Sequence, residues 1–337
     1  MPPSNPNRSR KLALAAIAAI AVALAFAPGA AAAGTEAPTC IGAATLDPTS
    51  GCVDRLTTVF PSVTGPRWEN PPPCRPIRAA RAASACVFGA SASRARLQFA
   101  LIGDSHTEAW SAVLGDIGRE RGWRATRFTG HGCVMSEAVS EMGEIAGPRC
   151  VSAYRATMRW LGRHPEIDFV ITTAEVDKGL PGPVSTIESR KFRGFQEMYK
   201  RFPRNVRRVI VLRDTPNATG TTFDCLGRAA RAAVAPAGPQ CATPRGAALS
   251  VPDAAVNAAL ALHQPRYRAV DMTDLMCSAT DCYPVLGGVL LNFDVGGHMT
   301  LAFAHTMRRQ LLRRLDPLVP APRSSTHPAP AMLGMSE

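Results

Sequence analysis

The sequence predicts an α/β fold in which a mostly parallel sheet is covered by helices on both faces. Three observations lead there. From Arg96 onward, short apolar runs of strand length recur at residues 97–102, 124–128, 169–173, 209–212 and 267–272. Amphipathic stretches with helical periodicity lie between them. Trp110, Val113, Leu114 and Ile117 share one face, as do Tyr154, Met158 and Leu161. Strands separated by helices call for right-handed crossovers and parallel pairing.

The elements follow in order. Residues 1–11 hold Arg8, Arg10 and Lys11 and no acid; residues 12–27 are almost all Ala, Leu, Ile and Val, and small residues close the stretch. That is the order of a secretory signal peptide, read as residues 1–33. The run is short for a ~30 Å hydrocarbon layer, so membrane attachment is expected only if the segment stays uncleaved. No other run approaches membrane length, which excludes a multi-span transporter. Residues 34–95 read as an irregular, Cys- and Pro-rich N-terminal extension, and residues 96–316 as the folded domain. Within the domain, Ser185 and Glu188 stand in capping-box spacing ahead of a helix through Phe192, Phe195 and Tyr199. A last helix is expected over residues 300–315, stopped by Pro317. Residues 317–337, rich in Pro and Ser, read as a disordered tail.

Composition narrows the function classes. Lys and Arg number 38 against 26 Asp and Glu, a formal net charge of +12. An exported chain without basic stretches interleaved with aromatics is not expected to bind nucleic acid. The charge reads first as a solvated basic surface, with a weak attraction to anionic cell-envelope polymers as the alternative. Ten cysteines argue for an oxidising compartment, so the protein is expected to be secreted, periplasmic or in the cell envelope. They form sequence-close pairs, Cys40/Cys52, Cys74/Cys86, Cys133/Cys150, Cys225/Cys241 and Cys277/Cys282, each bracketing a loop. Disulfides between neighbours are the expectation. Metal binding by Cys277 and Cys282 is the alternative, though no second pair has matching zinc spacing.

In parallel sheets ligands sit beyond the carboxyl ends of the strands. The first run ends in Gly103-Asp104-Ser105-His106. A strand, a Gly-Asp-Ser turn and a helix present the Ser105 hydroxyl above the sheet and aim the helix N-terminus at it. Asp104 is read as a brace for the turn, although capping the helix would alone account for Asp104 and Ser105. A serine nucleophile needs a base and the base an orienting group. Asp294-Val295-Gly296-Gly297-His298, before the last helix, offers both. His106, His131 and His305 are read as structural.

Together these residues resemble the SGNH/GDSL hydrolases, and more closely the periplasmic SGNH domain at the carboxyl end of bacterial acyltransferase-3 membrane proteins. Gly103-Asp104-Ser105-His106 with Trp110 resembles the first block and Gly130-His131-Gly132-Cys133 the second. Arg213-Asp214-Thr215-Pro216 with Cys225 and Cys241 resembles the middle segment, and residues 271–282 and 294–300 the closing stretch. The resemblance implies a three-layer α/β/α flavodoxin-like fold. It implies Ser105 as nucleophile, His298 as base, Asp294 as orienting acid, and the N–H groups of Ser105 and Gly132 as oxyanion donors. The family spaces acid and histidine by two residues, whereas three stand between them here, two of them glycine. Its third-block asparagine has no match in Thr172-Thr173-Ala174-Glu175.

The expectation is therefore a secreted serine esterase or O-acyltransferase acting on acyl esters of an extracytoplasmic glycan. It needs no metal or organic cofactor. Because the domain stands here behind a signal peptide, a separate membrane acyltransferase is the expected partner. A catalytically inactive glycan-binding or accessory module of the same fold is the alternative, and the wider acid–histidine spacing favours it.

Overall fold

The parallel runs of the sequence become the centre of one sheet. The computed structural model describes residues 37–63, 74–76, 84–139, 143–180 and 182–322. The signal segment at 1–33 and residues 323–337 of the expected tail lie outside them, while the first residues of that tail, 317–322, are ordered against the domain, with Leu318 and Val319 on the core, and so correct the expectation of disorder there. The seven strands are β1 (Arg75–Pro76), β2 (Ser84–Gly89), β3 (Leu97–Gly103), β4 (Trp123–Thr129), β5 (Phe169–Thr173), β6 (Arg208–Leu212) and β7 (Tyr267–Val270). Their spatial order is β1-β2-β4-β3-β5-β6-β7. The last five of these are parallel in the flavodoxin-like order, with β3 flanked by β4 and β5. β2 pairs antiparallel with β4 and β1 antiparallel with β2.

Side-chain alternation along each strand divides the interior into two layers. Leu97, Phe99 and Leu101 of β3, with Phe169, Ile171, Ile210 and Leu212, face one side. Trp110, Leu114 and Ile117 of α1 (Ser105–Arg121) cover them, with Phe303 of α6 (Leu301–Thr306) and Leu311 of α7 (Arg308–Leu315). On the other face, Ala100, Ile102, Val170, Val209 and Val211 meet three helices. These are α2 (Gly143–Gly162), α3 (Ile187–Tyr199) and α5 (Ala254–Leu260), which supply Tyr154, Met158, Phe195, Met198 and Val256. α4 (Gly220–Ala232) packs its Leu226 in a third, smaller cluster. Three layers result.

All ten cysteines are paired, in the five neighbour pairs expected: Cys40–Cys52, Cys74–Cys86, Cys133–Cys150, Cys225–Cys241 and Cys277–Cys282. Three local expectations are corrected. Residues 84–89, read as part of an irregular extension, form a full sheet strand along β4. The last helix is two, α6 and α7, parted at Met307. The Ser185/Glu188 capping box does not form: a 3₁₀ turn (Val184–Thr186) leads into α3, and no side chain caps it. A capping box occurs instead at Thr219 and Thr222 of α4.

The N-terminal segment is seated on the last two helices. The backbone N–H of Ala43 donates to Thr306 Oγ1 at 3.0 Å, and Asp47 accepts from Gln310 Nε2 at 2.7 Å and Arg313 at 3.3 Å.

Candidate active site

The carboxyl end of β3, where the chain leaves to one neighbour strand and later returns to the other, is the crevice position of such sheets. Gly103 ends that strand. A side chain there would bring Cβ to 2.0 Å from Thr107 Oγ1 and 2.6 Å from the Thr173 carbonyl oxygen, so only glycine lets the turn lie against β5. Asp104 caps α1: one carboxylate oxygen accepts the His106 N–H at 3.0 Å, the other that of Glu175 at 2.9 Å. Burial pushes its pKa up to about 6, against the opposing pull of His106 and the Glu175 N–H. Asp104 is thus a brace, as read from the sequence. Ser105 follows as the first residue of α1.

The loop before α6 supplies the other two candidates. Phe293 N–H donates to the His298 carbonyl at 2.9 Å and closes the loop on itself. The Gly297 carbonyl accepts from Thr215 Oγ1 and Asn292 Nδ2, both at 2.7 Å. Gly297 holds φ at +82°, and a Cβ there would meet Asn217 Oδ1 at 3.3 Å and His106 Cε1 at 3.5 Å. The extra glycine therefore takes the sharp turn that a longer acid–histidine spacing needs. His298 Nδ1 lies 2.8 Å from Asp294 Oδ2 and 3.0 Å from Oδ1, and its Nε2 lies 2.8 Å from Ser105 Oγ. The Phe293 ring stacks on the His298 ring at 5.3 Å. Partial burial works to raise the Asp294 pKa, but the hydrogen bonds and charge of His298 outweigh it and hold the carboxyl below its ordinary value.

Gly132 reaches the same end of the sheet in the turn after β4. Gly130 N–H donates to the Gly103 carbonyl at 3.1 Å, and the Tyr154 hydroxyl lies 2.6 Å from both the Gly103 and Cys133 carbonyl oxygens. The Cys133–Cys150 disulfide ties the turn to α2. From the other side His131 Nε2 sits 2.8 Å from Glu108 Oε2, and Glu108 Oε1 sits 2.8 Å from Arg127. Two anchors hold this turn.

His106 and His131, read from the sequence as structural, have partners that the sequence did not reveal. His131 belongs to the His131–Glu108–Arg127 chain. His106 belongs to a second His–Asp pair: its Nδ1 lies 2.7 Å from Asp214 Oδ1, wholly inside the protein. Asp214 stands two residues after the run at 209–212, a position where the strand-end rule directs attention. His305 lies 2.6 Å from Asp116 at the surface. The third-block departure remains, because β5 leads into Ala174 and Glu175. Among the described residues no group of three or more His, Cys, Asp or Glu side chains is placed to hold a metal ion.

A serine hydroxyl, an imidazole and a carboxylate stand in line at a helix N-terminus, and the family match and solved neighbour support a hydrolase/acyltransferase-like module. The chain belongs to the family described as SGNH domain (fused to AT3 domains), whose family model matches residues 73–313. Among solved structures it is similar to the periplasmic domain of the Salmonella ser. Paratyphi A lipopolysaccharide acetyltransferase. The TM-score is 0.52 at 11% identity, over 65% of this chain and 83% of that one, a likeness of fold. No curated protein matches the sequence.

Proposed function

We propose that this chain is an extracytoplasmic serine esterase or O-acyltransferase that acts on acyl esters of a cell-envelope glycan. The observation that carries the reading is the unbroken line of hydrogen bonds from Ser105 Oγ to His298 at 2.8 Å and on to Asp294 at 2.8 Å. Such contacts lie within the reach a general base requires.

In this mechanism His298 Nε2 takes the Ser105 proton as Oγ attacks the acyl carbonyl, and Asp294 steadies the imidazolium that forms. The N–H groups of Ser105, at the positive end of α1, and of Gly132 receive the oxyanion. Collapse of the tetrahedral intermediate expels the alkoxide, protonated by His298, and leaves acyl-Ser105. Water or a sugar hydroxyl then gives its proton to His298, attacks the acyl group and frees the serine. With a sugar hydroxyl as acceptor, a separate membrane acyltransferase is the partner that would supply the acyl group, in keeping with a family described as fused to AT3 domains. Five disulfides fit an oxidising compartment, and the net charge of +9 left without residues 1–33 (+12 less Arg8, Arg10 and Lys11) suits an anionic envelope polymer.

The test is hydrolysis of a chromogenic acetyl ester. Ser105→Ala is expected to lower kcat/KM by at least about 10³-fold with the fold retained. A second reading, a non-catalytic glycan-binding module, draws on the missing asparagine donor after β5, since one oxyanion donor is worth about 10²–10³ in turnover. Equal rates for the wild type and Ser105→Ala would transfer the assignment to it.

A further inference from the structure

The proposed chemistry uses Ser105, His298 and Asp294 and leaves His106 idle, although its ring centroid lies only 4.6 Å from that of His298. The side chains of His106 and Asp214 are 2% and 3% exposed. Asp214 also accepts backbone N–H groups, from Thr215 at 2.9 Å on Oδ1 and from Val176 at 3.0 Å on Oδ2. Two N–H donors favour the ionised carboxylate, and a buried carboxylate needs a cation. Among the described residues His106 is the one ion-pair partner Asp214 has. The pair is therefore read as carboxylate and imidazolium, with His106 Nε2 buried and without a hydrogen-bond partner among the described residues.

Other charges around His106 point the same way. Asp104 at the head of α1 and Glu175 after β5 face it along with Asp214, while Asp294 and His298 face it from the glycine loop. Asp253, which caps α5, stands behind Asp214 and accepts its backbone N–H at 3.0 Å. Burial opposes a charge on His106, but Asp214, then Asp104 and Glu175, outweigh it and raise its pKa.

We propose that His106 is a fixed cation beside the base: held as imidazolium by Asp214, it disfavours a second proton charge on His298 and keeps that ring ready to accept the Ser105 proton. This rests on the reading of His298 as base. His106 never touches substrate. It is a positioning residue that acts through its neighbour's protonation.

The experiment is long-range proton–nitrogen NMR on the protein labelled with ¹⁵N-histidine, from pH 5 to 8. His106 should show both ring nitrogens protonated throughout. In His106→Asn, whose amide still donates to Asp214, the His298 titration should move up by about one pH unit. The acid limb of kcat/KM on the chromogenic acetyl ester should move with it. A purely structural His106 would change the height of that profile and leave the limb in place. An unprotonated His106 nitrogen at pH 7, or a folded His106→Asn in which the His298 titration stays put or falls, overturns the proposal. Should His106→Asn fail to fold, the wild-type nitrogen shifts decide alone. If the wild type leaves the ester intact, the catalytic reading fails, and the titrations still judge the electrostatic one.

Discussion

Two His–Asp pairs stand side by side behind Ser105, and their surroundings are opposite. His298 and Asp294 come from one glycine-bearing loop, four residues apart, with side chains 22% and 38% exposed. His106 and Asp214 are 108 residues apart in sequence and meet inside the protein. The first pair has water access and a hydroxyl on its free nitrogen. The second has a carboxylate that accepts two backbone N–H groups, and its buried Nε2 has no hydrogen-bond partner among the described residues. The difference teaches that two chemically identical dyads differ here in solvent access and in what stands on Nε2, and the proposed roles follow from that.

The largest effect that separates the pairs is on turnover. Asp294→Asn should reduce kcat on a chromogenic ester by about 10⁴-fold, because the imidazole loses its preferred tautomer, while urea midpoints stay near the wild type. Unchanged kcat would point to a different orienting acid. The next effect is on stability. Asp214→Ala leaves a buried His106 without its counter-charge and should cost about 3–5 kcal/mol in urea unfolding. The matching Asp294→Ala, at a solvated site, should cost less than about 1 kcal/mol. Equal losses would erase the distinction.

The smallest effect is the pH dependence of the melting temperature. The folded-state pKa of His106 is raised above its unfolded value of 6.5, so its contribution is complete below that pH and fades as pH climbs toward about 10. The folded-state pKa of Asp294 is lowered from 3.8, so its contribution is present above that value and fades as pH falls through the lowered one. His106→Asn should flatten the alkaline fall in scanning calorimetry, and Asp294→Asn should soften only the acid one. An alkaline slope that His106→Asn leaves intact would assign it elsewhere.

The parallel strands are legible in the sequence because a strand buried on both faces is a continuous apolar run, as in β3 and β5. β2 is not, since Ser84, Ala85 and Cys86 carry little strand signal and its place is decided by pairing with β4. The break at Met307 is likewise invisible, because the residues on both sides keep one helical pattern. In the site, Ser105 announces itself by the turn after a strand, and Asp294 and His298 by sharing a loop. Asp214 and Glu108 do not stand out in this way, for their partners His106 and His131 are neighbours only after the sheet has formed.

The glycine loop has a consequence for how relatives are found. A carboxylate and an imidazole meet here across one more residue than the usual motif allows, because Gly297 absorbs the surplus in a single left-handed step. Genome surveys keyed to the shorter spelling would discard such chains as degenerate, although their side chains come within reach of one another in space. Any catalogue of inactive members drawn up by letter count alone should be reopened wherever the surplus letter is a glycine.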